Sequence, residues 1–581
     1  MSDWCDAVTT CVTLYAMSTD LTSRPAAPAL PASASPPPDL APAGWGDPAR
    51  RPGLPEHAHR WLEREVGLGR PSRPGPSTQL PTSALPSAAR DALRRVVGAE
   101  HVREGVAERV QHAAGRSYLD LLRLRSGVAD GPDAVVLPGD ADEVEQVLRA
   151  CTEHGVAVVP FGGGTSVVGG LTPLRGRFPA VVSLDLRRLD RLVAVDPEAL
   201  TATFEPGVRG PAAEQLLAPH GLTLGHFPQS YEHASLGGYA ATRSAGQAST
   251  GYGRFDELVT AVEARTPAGP LVLGRGAATA AGPDLLGLLV GSEGAFGVLT
   301  SVTVRVRPRP AARRYEGLLF GTWQEGCAAL RELEQGGLAP DVARLSDPDE
   351  TRVQLALAGT SAVKRTALRL RGYGSGCLAV FGWEGDAEDV RARRRRAVRV
   401  ARRHGAMPLG TSVGERWQRG RFEGPYLRDD LLDAGVLVET LETSAVWSRL
   451  HETREAVRAA LIDALPGARP VVMCHVSHLY RHGASLYFTV LARQSESDPI
   501  GQWQRAKQAA SAAIVATGAT ITHHHAVGTD HRDHLPAEIG PLGVEVLRAV
   551  KGVLDPAGVM NPGKLVPGTD GAVPAAPSPG G

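Results

Sequence analysis

The chain has 581 residues, 62 basic and 62 acidic side chains for a formal net charge of zero, and 43% hydrophobic against 21% charged residues. That length suffices for two or three domains with substantial cores, and the neutral balance offers no net attraction to nucleic acid or to an anionic membrane. No stretch approaches the ~20 apolar residues of a membrane span, and Cys5, Cys11, Cys151, Cys327, Cys377 and Cys474 form no Cys-x-x-Cys pair, so a reducing, cytoplasmic setting is expected.

Residues 1–42 end in a Pro/Ala/Ser-rich run from Thr22 without periodicity, which reads as a disordered leader. The small, Pro-rich residues 567–581 read as a matching tail, and 43–128 as a helical N-terminal segment. From Asp133 the pattern becomes regular. A strand over Ala134–Leu137 is followed by Asp140, an N-cap with Glu143 three residues on, and by Val144, Val147, Leu148 and Cys151 at helical spacing up to Gly155. A second strand, Val156–Phe161, completes a β-α-β unit. Further strands are expected at Val181–Leu184, Leu192–Val195, Leu200–Phe204 and Leu299–Val306, with short helices at Ala212–Leu217 and Asp284–Leu289. Pro308 and Pro310 mark a boundary, giving a first α+β domain over 129–310 and a second over 311–566. In the second, a strand at Gly317–Phe320, a helix at Trp323–Gln335 and a strand at Val342–Leu345 are expected. The Arg-rich Asp386–His404 reads as a helix with a solvated outer face and an apolar stripe of Val390, Ala397, Val398 and Ala401.

Pro160-Phe-Gly-Gly-Gly-Thr-Ser-Val-Val-Gly-Gly170 leaves the second strand as a glycine loop. Its three consecutive glycines reach positive φ and let backbone N–H groups converge on an anion, with Thr165 and Ser166 adding hydroxyls. It lacks the GK[ST] ending of a Walker loop and the G-x-G-x-x-G dinucleotide fingerprint. By itself it is a phosphate cradle or a bare tight connection. Three further irregular stretches favour the cradle: His226 to Gly238, Thr242 to Gly253, and the Gly-rich turn Gly291 to Val298.

Together these segments resemble the FAD-binding domain of the vanillyl-alcohol-oxidase type flavoproteins. The resemblance implies a two-subdomain FAD-binding domain followed by an α+β substrate (cap) domain. It assigns the cofactor to Pro160, Gly162, Gly163, Gly164, Thr165 and Ser166, to Gln229, Ser230, Ser235, Gly238, Thr242 and Arg243, and to Glu293, Gly294, Gly297 and Val298. Covalent members often carry a histidine in or beside the glycine loop; this loop has none, so non-covalent FAD is expected.

The chemistry is sought in the second half. His523-His524-His525 falls where a strand from Ala519 is expected to end, after a helix through Thr517, so that alternation puts His523 and His525 on one face. No metal is expected, because no carboxylate or Cys completes the set at ligand spacing. Tyr487 lies in an apolar strand and by composition is a core tyrosine. Arg344 and Arg428 are flanked by apolar residues; each requires an anionic partner, either a substrate phosphate or carboxylate or an internal salt bridge.

The chain also resembles the alkyldihydroxyacetonephosphate synthase family, from Gly44-Trp-Gly46 to Leu565. The motifs are Ala343-Arg-Leu345, Tyr426-Leu-Arg-Asp429, Glu442-Thr-Ser-Ala-Val-Trp447, Leu486-Tyr-Phe488, His523-His-His-Ala-Val-Gly528 and the ending Asp555-Pro through Asn561-Pro-Gly-Lys564. The ending is shared with flavin-dependent 2-hydroxy-acid dehydrogenases, the competing function; the triple histidine separates the two. Ala526, where the synthases usually have Gly, and Gln229 to Ser235, where an Asp usually begins the motif, are departures.

This second resemblance implies a redox-neutral flavoenzyme of ether-lipid synthesis. N5 of FAD traps the dihydroxyacetone phosphate skeleton, the acyl group leaves as a fatty acid, and a fatty alcohol forms the ether. Tyr487 is then general acid or base, His523, His524 and His525 assist proton transfer and stabilise charge, and Arg344 and Arg428 bind the phosphate or shape the site. The implied partners are a lipid phosphate and a fatty alcohol, with peripheral membrane contact and a homodimer compatible and nucleic acid excluded.

Overall fold

The computed structural model describes residues 40–51, 53–75, 78–127, 129–357 and 362–568. Of the leader expected at 1–42 and the tail expected at 567–581, residues 1–39 and 569–581 lie outside these residues. Leu40 to Pro42, assigned from sequence to the leader, belong to the fold: Leu40 is buried with Trp45 and Tyr426.

Three sheets of four or more strands organise the α+β chain. The first contains β1 (Val102–Arg103), β2 (Ala134–Val136), β3 (Val156–Phe161) and β4 (Ala180–Asp185) in the order β1-β2-β4-β3. β4 runs parallel to both β2 and β3. The helix α1 (Ala141–His154) that crosses from β2 to β3 is written locally. Asp140 accepts from the Glu143 N–H, Gly155 ends the helix at φ 61°, and Val144, Val147, Leu148 and Cys151 are buried. Removing such a cap costs about 1 kcal/mol, and each buried Val or Leu contributes about 1.5–3 kcal/mol. Burial against β2–β4 thus outweighs the cap.

The second sheet holds β5 (Leu192–Asp196), β6 (Thr201–Phe204), β7 (Val259–Thr266), β8 (Gly269–Leu273) and β9 (Val298–Arg305), in the order β5-β6-β9-β7-β8. The long irregular stretch before β7 contains short helices, among them α2 (Leu236–Thr242), capped by Ser235.

The third and largest sheet has the order β13-β10-β12-β11-β15-β17-β14, with β16 paired to β17. Its strands are β10 (Ala312–Phe320), β11 (Val342–Ser346), β12 (Cys377–Gly385), β13 (Met407–Gly410), β14 (Val436–Val446), β15 (Val471–Val476), β16 (Leu479–Tyr480) and β17 (Gly483–Arg493). β10 begins five residues before the expected start, because Ala312–Glu316 pair with Phe381–Gly385 of β12. The Arg-rich segment forms a helix over Ala387–Arg403 with Val390, Ala397, Val398 and Ala401 buried, so its apolar stripe is a packing face.

One expected element is absent. Residues 519–525 form no strand; the triple histidine lies in a bent loop. The strand-face argument for His523 and His525 therefore fails, and the reason is a buried carboxylate described below.

Candidate active site

The glycine loop is shaped by close approach on every side. A Cβ on Gly162 would stand 2.3 Å from Ser235 Oγ and one on Gly163 2.1 Å from the His233 carbonyl oxygen, while Gly164 has φ +73°. These glycines let residues 233–235 lie directly on the loop. Opposite, the Arg116 N–H donates to Ser166 O at 2.6 Å, and Ser166 Oγ accepts from Gly170 N at 3.2 Å. Among the described residues, none accepts from the backbone N–H groups of Gly162 to Ser166. Unspent N–H groups on a half-buried glycine loop fit a pyrophosphate.

The Gly-rich turn packs on the same loop. Gly294, at φ +72°, would place a Cβ 2.8 Å from the Pro160 ring. Gly297 abuts the Arg265 carbonyl, and Val298 starts β9 within the core. Asn561 of the C-terminal motif reaches over, its amide donating to Glu293 O at 2.6 Å and to Gly170 O at 3.4 Å. Lys564 donates to Thr172 O at 2.8 Å.

Five of the residues assigned to the cofactor have other contacts. Arg243 donates through Nε to Val290 O and through its terminal nitrogen to Gly287 O, so it braces the turn from behind. Thr242 Oγ1 donates to Gly238 O within α2. Gln229 is exposed and lies against Gly424 of the third-sheet domain. Glu293, at φ +52°, accepts from Val527 N at 2.8 Å and Gly528 N at 2.7 Å. Ser230, half-buried, offers its carbonyl to the N–H groups of His233 and Ala234.

The second half of the site grows from one face of the third sheet. Register places His475 of β15 opposite Tyr487 of β17, and Tyr487 opposite Glu442 of β14. Directly opposed residues in antiparallel strands share a face, so the three form a row, extended by Ser346 of β11 opposite His475. Tyr487 stacks on His475 with centroids 4.9 Å apart at 21° and meets the rings of His524 and His525 at 6.2 and 5.7 Å. Burial raises its pKa, while a hydrogen bond with the Thr440 side chain and the charge of Arg428 act against that rise.

Glu442 explains the histidine loop. Its carboxylate, fully buried, accepts from Thr522 Oγ1 at 2.6 Å and from the backbone N–H groups of His523, His524 and His525 at 2.6, 3.1 and 2.9 Å. A chain that turns three successive N–H groups onto one carboxylate cannot alternate as a strand. Burial alone would raise the Glu442 pKa, but the neighbouring histidines, His524 foremost, outweigh it and hold the carboxyl well below its ordinary value. Burial holds His523 well below the ordinary histidine value and brings His525 down to about 3, so both rings are neutral at pH 7.

The two arginines part company. Arg344 is committed to an ion pair with Glu350 at 2.7 Å and to His475 at 3.0 Å. That is the internal salt bridge rather than an arginine waiting for phosphate. Arg428, on α3 (Gly424–Asp433), is lowered in pKa by burial. Its Nε has no partner among the described residues, which suits an anion. The adjoining Asp429 is spent on a buried pair with Arg125 at 2.9 Å.

Sequence reasoning missed Glu442, His475 and His478. Glu442 stood inside a quoted motif without a role, and the other two belong to no local pattern. His478 brings a third imidazole to His523 and His524, with nitrogens within 4.8 Å of one another. Its ring is stacked beside His523 at 27° rather than aimed across at it, and both nitrogens of His523 are already bonded. His523 and His524 are thus hydrogen-bonded to each other, with His478 stacked beside them and bonded to Ser249.

Residues 132–273 match the FAD binding domain family, and 309–565 match the family of FAD linked oxidases, C-terminal domain. Alkyldihydroxyacetonephosphate synthase of Trypanosoma brucei brucei is 34% identical over 498 residues, covering 82% of this chain and 80% of that protein. The synthase of Dictyostelium discoideum is 32% identical, covering 79% and 77%. A solved alkyldihydroxyacetonephosphate synthase superposes with a TM-score of 0.78 at 26% identity over 90% of this chain and 98% of that one. p-Cresol methylhydroxylase, at TM-score 0.63 and 17% identity over 82% and 96%, shares the fold. The cofactor is FAD, and the chain belongs to the alkyldihydroxyacetonephosphate synthase family of FAD-linked enzymes.

Proposed function

We propose that the protein exchanges the acyl group of an acyl-dihydroxyacetone phosphate for a fatty alcohol, releasing a fatty acid and forming an ether. The observation that carries this reading is the row His475–Tyr487–Glu442 under His524 and His525, with the free Nε of Arg428 beside it. Bound FAD supplies an electron-accepting ring system that activates the substrate carbon without net oxidation.

The chain's own residues do the rest. Gly162 to Ser166 hold the pyrophosphate on backbone N–H groups. Arg428 receives the substrate phosphate, and Arg344 acts one step back by fixing His475 against Tyr487. The Tyr487 hydroxyl and the His524 and His525 rings exchange protons with the departing acyl oxygen and the incoming alcohol. Glu442 holds the three histidines in place and offsets the charge of a ring that takes up a proton. An acyl chain and a fatty alcohol both come from a lipid phase, so peripheral membrane contact is part of this reading. Among the described residues no helix is long and apolar enough to cross a membrane.

The test is direct. Purified FAD-loaded protein given acyl-dihydroxyacetone phosphate and hexadecanol is expected to release fatty acid and ether product in equal amounts. Silence across a series of chain lengths, with flavin bleaching by lactate or hydroxyglutarate instead, contradicts the reading.

A further inference from the structure

Resting on that exchange, we infer that His523 and Tyr480 form a proton exit from the candidate active site, entered at His524 and opening to water beside Arg254. The need for an exit follows from balance. The alcohol O–H bond breaks as the ether C–O bond forms, the substrate's bond to its acyloxy group breaks, and the acid leaves as carboxylate because a carboxylic acid ionises near pH ~4. No oxidant or reductant enters. One proton per turnover is left in a buried pocket.

Glu442 is no destination for it, since four donors already occupy its oxygens. The bonded path leads elsewhere. His524 Nδ1 lies 2.9 Å from His523 Nδ1, and His523 Nε2 is hydrogen-bonded to the Tyr480 hydroxyl. Next to that hydroxyl lies the Arg254 side chain, which pairs with Asp256 at 3.0 Å. Side-chain exposure is 15% at His524, 1% at His523, and 20% and 21% at Arg254 and Asp256, so the path runs through a buried ring and reaches the surface beyond it.

The rings are held for the purpose. His478 stacks on His523 at 4.9 Å and is itself hydrogen-bonded to Ser249. Tyr480 is fixed by pairing of β16 with Ala484 and Gly483, and by the Trp447 Nε1–H that donates to its carbonyl at 3.1 Å. In the exporting tautomer, His524 takes the alcohol proton at Nε2 and passes its Nδ1 proton to His523. His523 passes its Nε2 proton to Tyr480, and the Tyr480 hydroxyl proton goes to water. The Glu442 carboxylate stands 3.4 Å from His524 Nδ1 and 4.0 Å from His523 Nδ1, opposing the positive charge in transit.

The experiment compares the FAD-loaded wild type with Tyr480→Phe, following fatty-acid release and, with a pH indicator in weak buffer, proton release. Imidazole is then added in steps as a small external proton carrier. The expected result for Tyr480→Phe is a fall in kcat of about tenfold or more. KM and FAD content stay unchanged, and recovery saturates with imidazole, which the wild type does not show. Wild-type kcat in Tyr480→Phe overturns the exit, and so does a fall that imidazole does not relieve. Failure of the wild type itself to release fatty acid overturns the functional reading instead, so the two failures are told apart.

Discussion

The glycine loop and the histidine loop are both irregular and both border the candidate site, yet they are specified in opposite ways. Residues 160–170 carry their own instructions: three glycines in a row admit the backbone of residues 233–235 to within contact of Gly162 and Gly163. Residues 523–528 carry almost none. Their course is set by Glu442, whose bonds to the histidine N–H groups span 81 to 83 positions, and by Glu293, whose bonds to Val527 and Gly528 span 234 and 235. Each domain contributes one carboxylate, so the histidine loop is ordered only where the two domains meet. The glycine loop's contacts with residues 233–235 lie within the first domain, whereas the proton-transfer groups depend on both.

Substitutions can break this contrast at either end. The largest effect is expected for Tyr487→Phe, which removes the hydroxyl and leaves the ring stacking on His475. Turnover should fall by about 100-fold or more with FAD still bound, as measured by fatty-acid release and the flavin spectrum. Gly163→Ala strikes the locally specified loop. A Cβ 2.1 Å from the His233 carbonyl forces the two segments apart, so purified protein should lose FAD along with activity. Because the loop lacks a tethering histidine, denaturing the wild type should also release all of its FAD; flavin retained on the unfolded chain contradicts non-covalent binding.

Glu442→Gln strikes the remotely specified loop. The amide group must face backbone N–H donors, and an unmatched buried donor costs about 1–3 kcal/mol. The expected variant keeps FAD, melts lower and loses most of its turnover; full activity would show that the loop does not need its carboxylate. Glu293 gives a pH signature. Burial lifts its pKa from 4.5 to about 7, so the folded protein retains a proton that the unfolded chain gives up. Stability from this group is present below its unfolded pKa and falls as pH rises from about 4.5 to about 7. Melting temperatures across that window should decline, and Glu293→Gln should flatten the decline. Smallest is Ala526→Gly. Ala526 sits at φ +75°, a left-handed conformation that costs a non-glycine residue roughly 1–2 kcal/mol. A gain of about 1 kcal/mol is expected in chemical denaturation, the difference being offset in part by the freedom glycine adds to the unfolded chain.

Legibility from sequence follows the same division. Asp140, the Val144–Cys151 stripe and Gly155 announce α1 because capping and periodicity are local, and the strands around it are short apolar runs between turn residues. The apolar stripe of the Arg-rich helix was readable for the same reason. The extension of β10 to Ala312 was not, since Ala312-Arg-Arg becomes strand only through pairing with β12. In the site, Tyr487 and the triple histidine stood out through a resemblance, whereas composition alone made Tyr487 a core residue. Arg243 and Glu293 lay in the right motifs, but the carbonyls of Gly287 and Val290 and the N–H groups of Val527 and Gly528 claim their polar atoms. A motif marks the segment near the cofactor without telling which side chain faces it. His475 was invisible because its place beside Tyr487 is a fact of register between β15 and β17.

The central claim is that the flavin site and the histidine row together serve an exchange rather than an oxidation. It is tested most directly by anaerobic incubation with acyl-dihydroxyacetone phosphate and ¹⁸O-labelled hexadecanol, with no electron acceptor present. The expected result is repeated turnover, with the label in the ether oxygen, one fatty acid released per ether and no lasting reduction of the flavin. Turnover that stops after one equivalent with the flavin bleached, or label absent from the product, contradicts it.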